Sequence, residues 1–97
     1  MSSAKPRFEV RLRSRRVVRE LDSLQRADRR RVLAVLHGLA DDPRPPGCEK
    51  LYGDVYRVRV GNWRVIYLVD EPNSRVDVGA IRRPSERTYR RVDDLFR

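Results

Sequence analysis

The chain has 97 residues, enough for one domain with a modest core and too few for two, so a second catalytic domain is excluded. Its 39% hydrophobic content is adequate for folding, but 38% charged residues place that core beneath a heavily charged surface. Lys and Arg number 23 against 14 Asp and Glu, giving net +9, and all but two of the 23 are Arg. Such a balance points towards a polyanionic partner. A bias of the genome towards arginine codons produces the same excess, so charge alone does not establish nucleic-acid binding. Cys48 is the only cysteine, which excludes an intrachain disulfide and a thiolate metal cluster. The opening MSSAKPRFEVRLRSRR has no apolar core of signal-peptide length, and no later run approaches a membrane span. A soluble, cytoplasmic protein is expected.

Residues 1–6 read as a short flexible lead-in, after which RFEVRL alternates, with Phe8, Val10 and Leu12 on one side as in a strand. Ser14 is placed to cap a helix on which Val17, Val18, Leu21 and Leu24 recur at helical spacing while Arg15, Arg16, Arg19 and Glu20 face outward. The pattern restarts near Gln25 to Asp28, and Val32, Leu33, Leu36, Leu39 and Ala40 form the stripe of a second helix that ends at DDPRPPG. The period then changes: VYRVRV, WRVIYLV and RVDVGAI read as three strands separated by Gly61-Asn62 and by DEPNS. Pro84 and Ser85 end the last strand, and SERTYRRVDDLF reads as a short closing helix. The expected fold is therefore a single α+β domain over residues 1–97. It has an N-terminal strand, a two-helix hairpin, a three-stranded antiparallel meander completing a four-stranded sheet, and a short C-terminal helix.

A two-residue loop at Gly61-Asn62 fixes the register of the hairpin, setting Val60 opposite Trp63, Arg59 opposite Arg64, Val58 opposite Val65 and Arg57 opposite Ile66. One face then carries Tyr56, Val58, Val60, Trp63, Val65 and Tyr67, a natural seat for the helices; the other carries Arg57, Arg59 and Arg64 with Val55, Ile66 and Leu68. Like charges directly opposed on neighbouring strands cost a few tenths to about 1 kcal/mol. Local conflicts of this kind concentrate at functional sites, yet two arginines splayed into water avoid the penalty, and alternation alone leaves both readings open. The last strand must bring either Arg82 or Arg83 to the same face.

From EKLYGDVYRVRVGNWRVIYLVD to VGAIRRPSERTYRR, the sequence resembles the RelE/ParE superfamily of toxins from type II toxin-antitoxin systems. The resemblance rests on the order of elements, on the lead Lys50-Leu51-Tyr52-Gly53, on the Y-R-x-R-x-G-x-x-R-x-x-Y hairpin, and on the downstream Arg-Arg and Tyr. It spans Phe8 to Tyr89. In that superfamily the RelE branch cleaves messenger RNA in the ribosomal A site, whereas the ParE branch inhibits DNA gyrase and generally lacks the basic-plus-tyrosine set. By position, the RelE set falls on Arg57, Arg59, Arg64, Arg83 and Tyr89. The resemblance thus implies a ribosome-dependent mRNA endonuclease that blocks translation, with a ParE-like gyrase inhibitor as the alternative. Well-known RelE members have lysines at the positions of Arg57 and Arg59; arginine neutralises phosphate but is a poor proton acceptor.

The implied chemistry is metal-independent and without cofactor: the RNA 2'-hydroxyl attacks the adjacent phosphate, leaving a 2',3'-cyclic phosphate and a 5'-hydroxyl. Arg57, Arg59 and Arg64 suit the phosphate oxygens, Arg83 the transition-state charge and leaving group, and Tyr89 the positioning of the 2'-hydroxyl or a stacked base. Arg11, Arg13, Arg15, Arg16 and Arg82 are the expected contacts to RNA, ribosomal RNA included. Conventional catalysts are poorly supplied. A single histidine, His37, excludes a histidine-pair ribonuclease, and Asp41-Asp42 and Asp93-Asp94 read as caps and solvated charge, not a two-metal site. A cognate antitoxin, RelB-like or of another family, is the implied partner beside the ribosome and mRNA; no membrane partner is expected.

Overall fold

The computed structural model describes residues 7–84 together with Leu95 and Phe96. The expected lead-in at residues 1–6, most of the expected closing helix, and Tyr89 lie outside the described residues. Strand β1 (Glu9–Leu12) alternates exposed and half-buried positions. Ser14 leaves it in an extended conformation and caps α1 (Arg15–Asp22), its hydroxyl accepting the Val17 amide at 3.5 Å. α1 buries Val17 and Leu21, but the expected stripe is narrower than predicted: Val18 is 40% exposed, and Arg16 and Glu20 turn towards the sheet instead of water. α2 (Arg26–Leu39) buries Val32, Leu36 and Leu39, carries Asp28 in its first turn, and gives way to the proline loop as its sequence requires.

Four further strands follow: β2 (Glu49–Tyr52), β3 (Val55–Val60), β4 (Trp63–Asp70) and β5 (Arg75–Arg82). The sheet order is β1-β5-β4-β3-β2, with β1 parallel to β5 and the remaining pairs antiparallel. The β3–β4 register is the one Gly61-Asn62 predicts, pair by pair, and Gly61 adopts the positive φ of 59° that its turn demands. The sheet has five strands instead of four. The additional strand is EKLY, whose two leading charges give no alternation to read; it forms because Gly53, at φ 48°, turns the chain straight back onto β3.

The helix-facing side of the sheet holds the main core, in which Val17, Val32, Leu39, Val65, Tyr67, Val76 and Val78 are fully buried, each contributing about 1.5–3 kcal/mol by removal of apolar surface from water. The other side carries a smaller cluster of Val55, Ile66 and Ala80, against which Leu51, Leu68, Leu95 and Phe96 pack. Gly79 governs the junction of these faces. Val78 pairs with Tyr67 and Ala80 with Ile66, so Gly79 is an unpaired bulge and the alternation of β5 inverts beyond it. Ile81 joins the helix-side core, while Arg82 falls opposite Arg64. A Cβ at Gly79 would lie 2.5 Å from the Phe96 ring, so close packing as well as the bulge calls for glycine.

The proline loop is tied to the helix side of β3 and β4. The Tyr67 hydroxyl donates to the Pro43 carbonyl at 2.7 Å, and Arg44 Nε donates to the Tyr56 hydroxyl at 2.9 Å while its guanidinium pairs with Glu71 at 2.8 Å. Burial pushes the Tyr67 phenol well above its ordinary pKa. No helix among the described residues is long and apolar enough to cross a membrane.

Candidate functional site

Side chains on one face of a sheet line up wherever residues are paired in register, and here that rule aligns Arg59 of β3, Arg64 of β4 and Arg82 of β5 across three adjacent strands. Neighbouring members sit about 5 Å apart at their backbones. Arg57, two residues along β3, stands on the same face. Together Arg57, Arg59 and Arg64 line a cavity of about 320 Å³ with Pro46, Gly47, Glu49 and Val58. Of the alternatives left by the sequence, the Gly79 bulge selects Arg82 for this row. Arg83 follows the strand's end and lies instead over the Trp63 ring, 5.0 Å from its centroid.

The members differ in their surroundings. Arg59 is exposed, whereas Arg64 is only 8% exposed and donates to the Trp63 carbonyl at 3.1 Å. Among the described residues neither forms a salt bridge. A buried cation without a carboxylate beside it is costly. Arg57 is half-buried and directs Nε to Glu49 Oε2 at 2.9 Å, with its NH2 group on the same oxygen. Arg82 lies 3.8 Å from the Glu20 carboxylate.

Glu20 also closes an edge. β1 stops at Leu12, with Arg13 N–H to the Val78 carbonyl as the last link, so the rest of β5 is paired with β4 alone and has no strand on its other side. Two side chains of α1 take the strand's place: Arg16 donates to the Gly79 carbonyl at 2.8 Å, Glu20 accepts the Ile81 amide at 3.0 Å, and the two are paired at 2.9 Å. This clasp holds the segment that carries Arg82.

The other basic residues singled out in the sequence are not gathered at the row. Arg11 and Arg13 line a second cavity of about 290 Å³ with Arg75 and Asp77, at the β1 side of the same face. Arg13 pairs with Asp77 at 3.4 Å and lies over the Phe96 ring. Arg15 is exposed on α1, and Arg16 is turned into the clasp. Sequence reasoning missed Glu49 and Glu20 as neighbours of the arginines, and Arg31, whose guanidinium reaches the Gly61 turn from α2. Only Glu49 left a trace in the sequence, as an acid at the head of a basic lead.

The family model for the ParE toxin of type II toxin-antitoxin systems, parDE, matches residues 10–88. The chain belongs to this family. It is a toxin of the RelE/ParE superfamily, and its fold is that of RelE. The toxin is 28% identical to a chain of the archaeal RelE-RelB complex from Pyrococcus horikoshii OT3, with a TM-score of 0.71 over 82% of the toxin and 98% of that chain. The isolated E. coli RelE toxin gives a TM-score of 0.70 at 18% identity, covering 91% of the toxin and 98% of that chain. The RelBE2 toxin-antitoxin complex from Mycobacterium tuberculosis gives 0.68 at 18%, covering 79% and 98%. These last two likenesses concern the fold alone. A search among curated proteins finds no match.

Proposed function

We propose that the toxin is a ribosome-dependent mRNA endonuclease of the RelE kind. The observation that carries this reading is the row itself: a buried Arg64, flanked in register by Arg59 and Arg82, with no ion-pair partner among the described residues. A ligand that brings negative charge to all three relieves the conflict, and a phosphodiester passing through a pentavalent state gathers its charge on equatorial oxygens within reach of such a row. In the reaction the 2'-oxygen bonds to phosphorus and the 5'-oxygen leaves, giving a 2',3'-cyclic phosphate and a 5'-hydroxyl. Arg57, Arg59, Arg64 and Arg82 hold the phosphate. Arg83 adds charge near the leaving group, and Tyr89 orients the 2'-hydroxyl or stacks on a base. Arg11, Arg13, Arg15 and Arg75 extend the basic surface towards ribosomal RNA. The P. horikoshii and M. tuberculosis proteins were solved as complexes with RelB-type antitoxins, which supports an antitoxin partner here, wrapping the helices or lying across the arginine face. The place of action is then the cytoplasm.

A second reading, inhibition of DNA gyrase without cleavage, is favoured by the matching family's being that of ParE. Induced expression with primer-extension mapping, alongside a supercoiling assay with purified gyrase, separates the two. Transcripts cut at discrete positions with gyrase unaffected are expected; intact mRNA in arrested cells with supercoiling blocked selects the second reading. Arg64→Ala, Arg82→Ala and Arg83→Ala are each expected to slow cleavage about 10- to 100-fold, the worth of one charge-assisted hydrogen bond in the transition state. Full activity in both the Arg64→Ala and Arg82→Ala variants would remove the site from this face.

A further inference from the structure

Glu49 is the one carboxylate among the described residues that line the arginine cavity. It sits opposite Arg57 in the β2–β3 register, and the guanidinium donates to its Oε2 from both Nε and NH2. The side chain of Glu49 remains 61% exposed, against 25% for Arg57, so the carboxylate is oriented by its partner and still open to a ligand. The charged groups facing it are Arg57 and Arg59 of β3 and Arg64 of β4, and none of these accepts a proton. A cavity of about 320 Å³ falls at the small end of the range for ligand pockets, of the order of one nucleotide.

We propose that Glu49 is the proton acceptor for the attacking 2'-hydroxyl, an assignment that rests on the endonuclease reading. The step balances without a further reactant. The 2'-oxygen forms its bond to phosphorus as its proton passes to the Glu49 carboxylate, the bond from phosphorus to the 5'-oxygen breaks with its electron pair on that oxygen, and a solvent water protonates it. Glu49 then returns its proton to solvent. A guanidinium fork has five N–H donors, so Arg57 can steer the carboxylate and hold a phosphate oxygen at the same time. The arrangement supplies a base to a site otherwise composed of permanent cations.

The geometry admits one opposite outcome: Glu49 could merely occupy Arg57 and compete with phosphate. Substitution separates the two by sign. In single-turnover cleavage of ribosome-bound mRNA by the full chain, Glu49→Gln is expected to be about 100-fold slower or worse, the usual loss of a general base. Binding of the ribosome complex is expected to be unchanged. Glu49→Asp, which keeps a carboxylate but draws it back by one methylene, is expected to cleave at a rate between those of wild type and Glu49→Gln. The Asp variant also serves if the Gln variant does not fold, and a folded Glu49→Asp protein that cleaves at the wild-type rate counts against the assignment. Wild-type cleavage matched or exceeded by Glu49→Gln overturns the role of Glu49 alone. Intact mRNA with the wild-type chain overturns the endonuclease reading and this role together.

Discussion

Tyr67 shows how one buried hydroxyl joins the loop after α2 to the sheet beneath the site. It is fully buried and donates to the Pro43 carbonyl, an acceptor with no equivalent partner once the hydroxyl is removed. Tyr67→Phe is expected to cost about 1–3 kcal/mol in urea denaturation at neutral pH, because a buried carbonyl is left unsatisfied. Burial holds the phenol protonated in the folded state after it has begun to ionise in the unfolded chain. The unfolded state then binds fewer protons, so wild-type stability falls as pH rises above about 10, and the variant is expected to lose that part of the slope. At the same scale, the arginines of the site were legible from the sequence because strand alternation and a two-residue turn fix which side chains oppose one another. Glu49 was not, since its role depends on a strand, β2, that carries no readable period.

At the scale of elements, the least obvious device is the side-chain clasp of α1 on β5. Amphipathic patterning assigned Arg16 and Glu20 to solvent because both are charged, yet the free edge of β5 offers a carbonyl and an amide that need partners in just that polarity. Glu20→Ala is expected to destabilise the fold by about 1 kcal/mol, a modest figure for a partly exposed carboxylate. The more specific sign is faster hydrogen exchange at the Ile81 amide than at Val65, which pairs with Ile81 across the sheet from a central strand. Unchanged exchange at Ile81 would mean that the clasp does not hold the strand. The Gly79 bulge escaped the sequence for a related reason. A glycine inside an alternating run marks a possible bulge, but which neighbouring strand it faces decides the outcome, and that register lies outside the run. The doublet Arg82-Arg83 tolerates this: whichever way the parity falls, an arginine arrives beside Arg64.

For the whole molecule, part of the positive charge gathers in two clusters on one sheet face, the row with its cavity and the group of Arg11, Arg13 and Arg75, with an apolar middle between them. If both hold an RNA backbone, affinity for single-stranded RNA should fall with salt by a log-log slope of about 0.7 per phosphate contacted. Arg11→Ala and Arg59→Ala are then each expected to lower that slope by about 0.7 in a filter-binding titration. A slope reduced only by Arg59→Ala confines the contact to the row. The order of elements and the sorting of the hairpin followed from local periodicity, whereas the parallel pairing of β1 with β5 joins segments from opposite ends of the chain and left no local signal. That long-range closure bears on when the toxin becomes dangerous. The row is divided among β3, β4 and β5, and its last member, Arg82, comes from the last strand among the described residues. A nascent chain with a finished β3–β4 hairpin holds only part of the row, so the three arginines come into register only once β5 has been made and has docked beside β4.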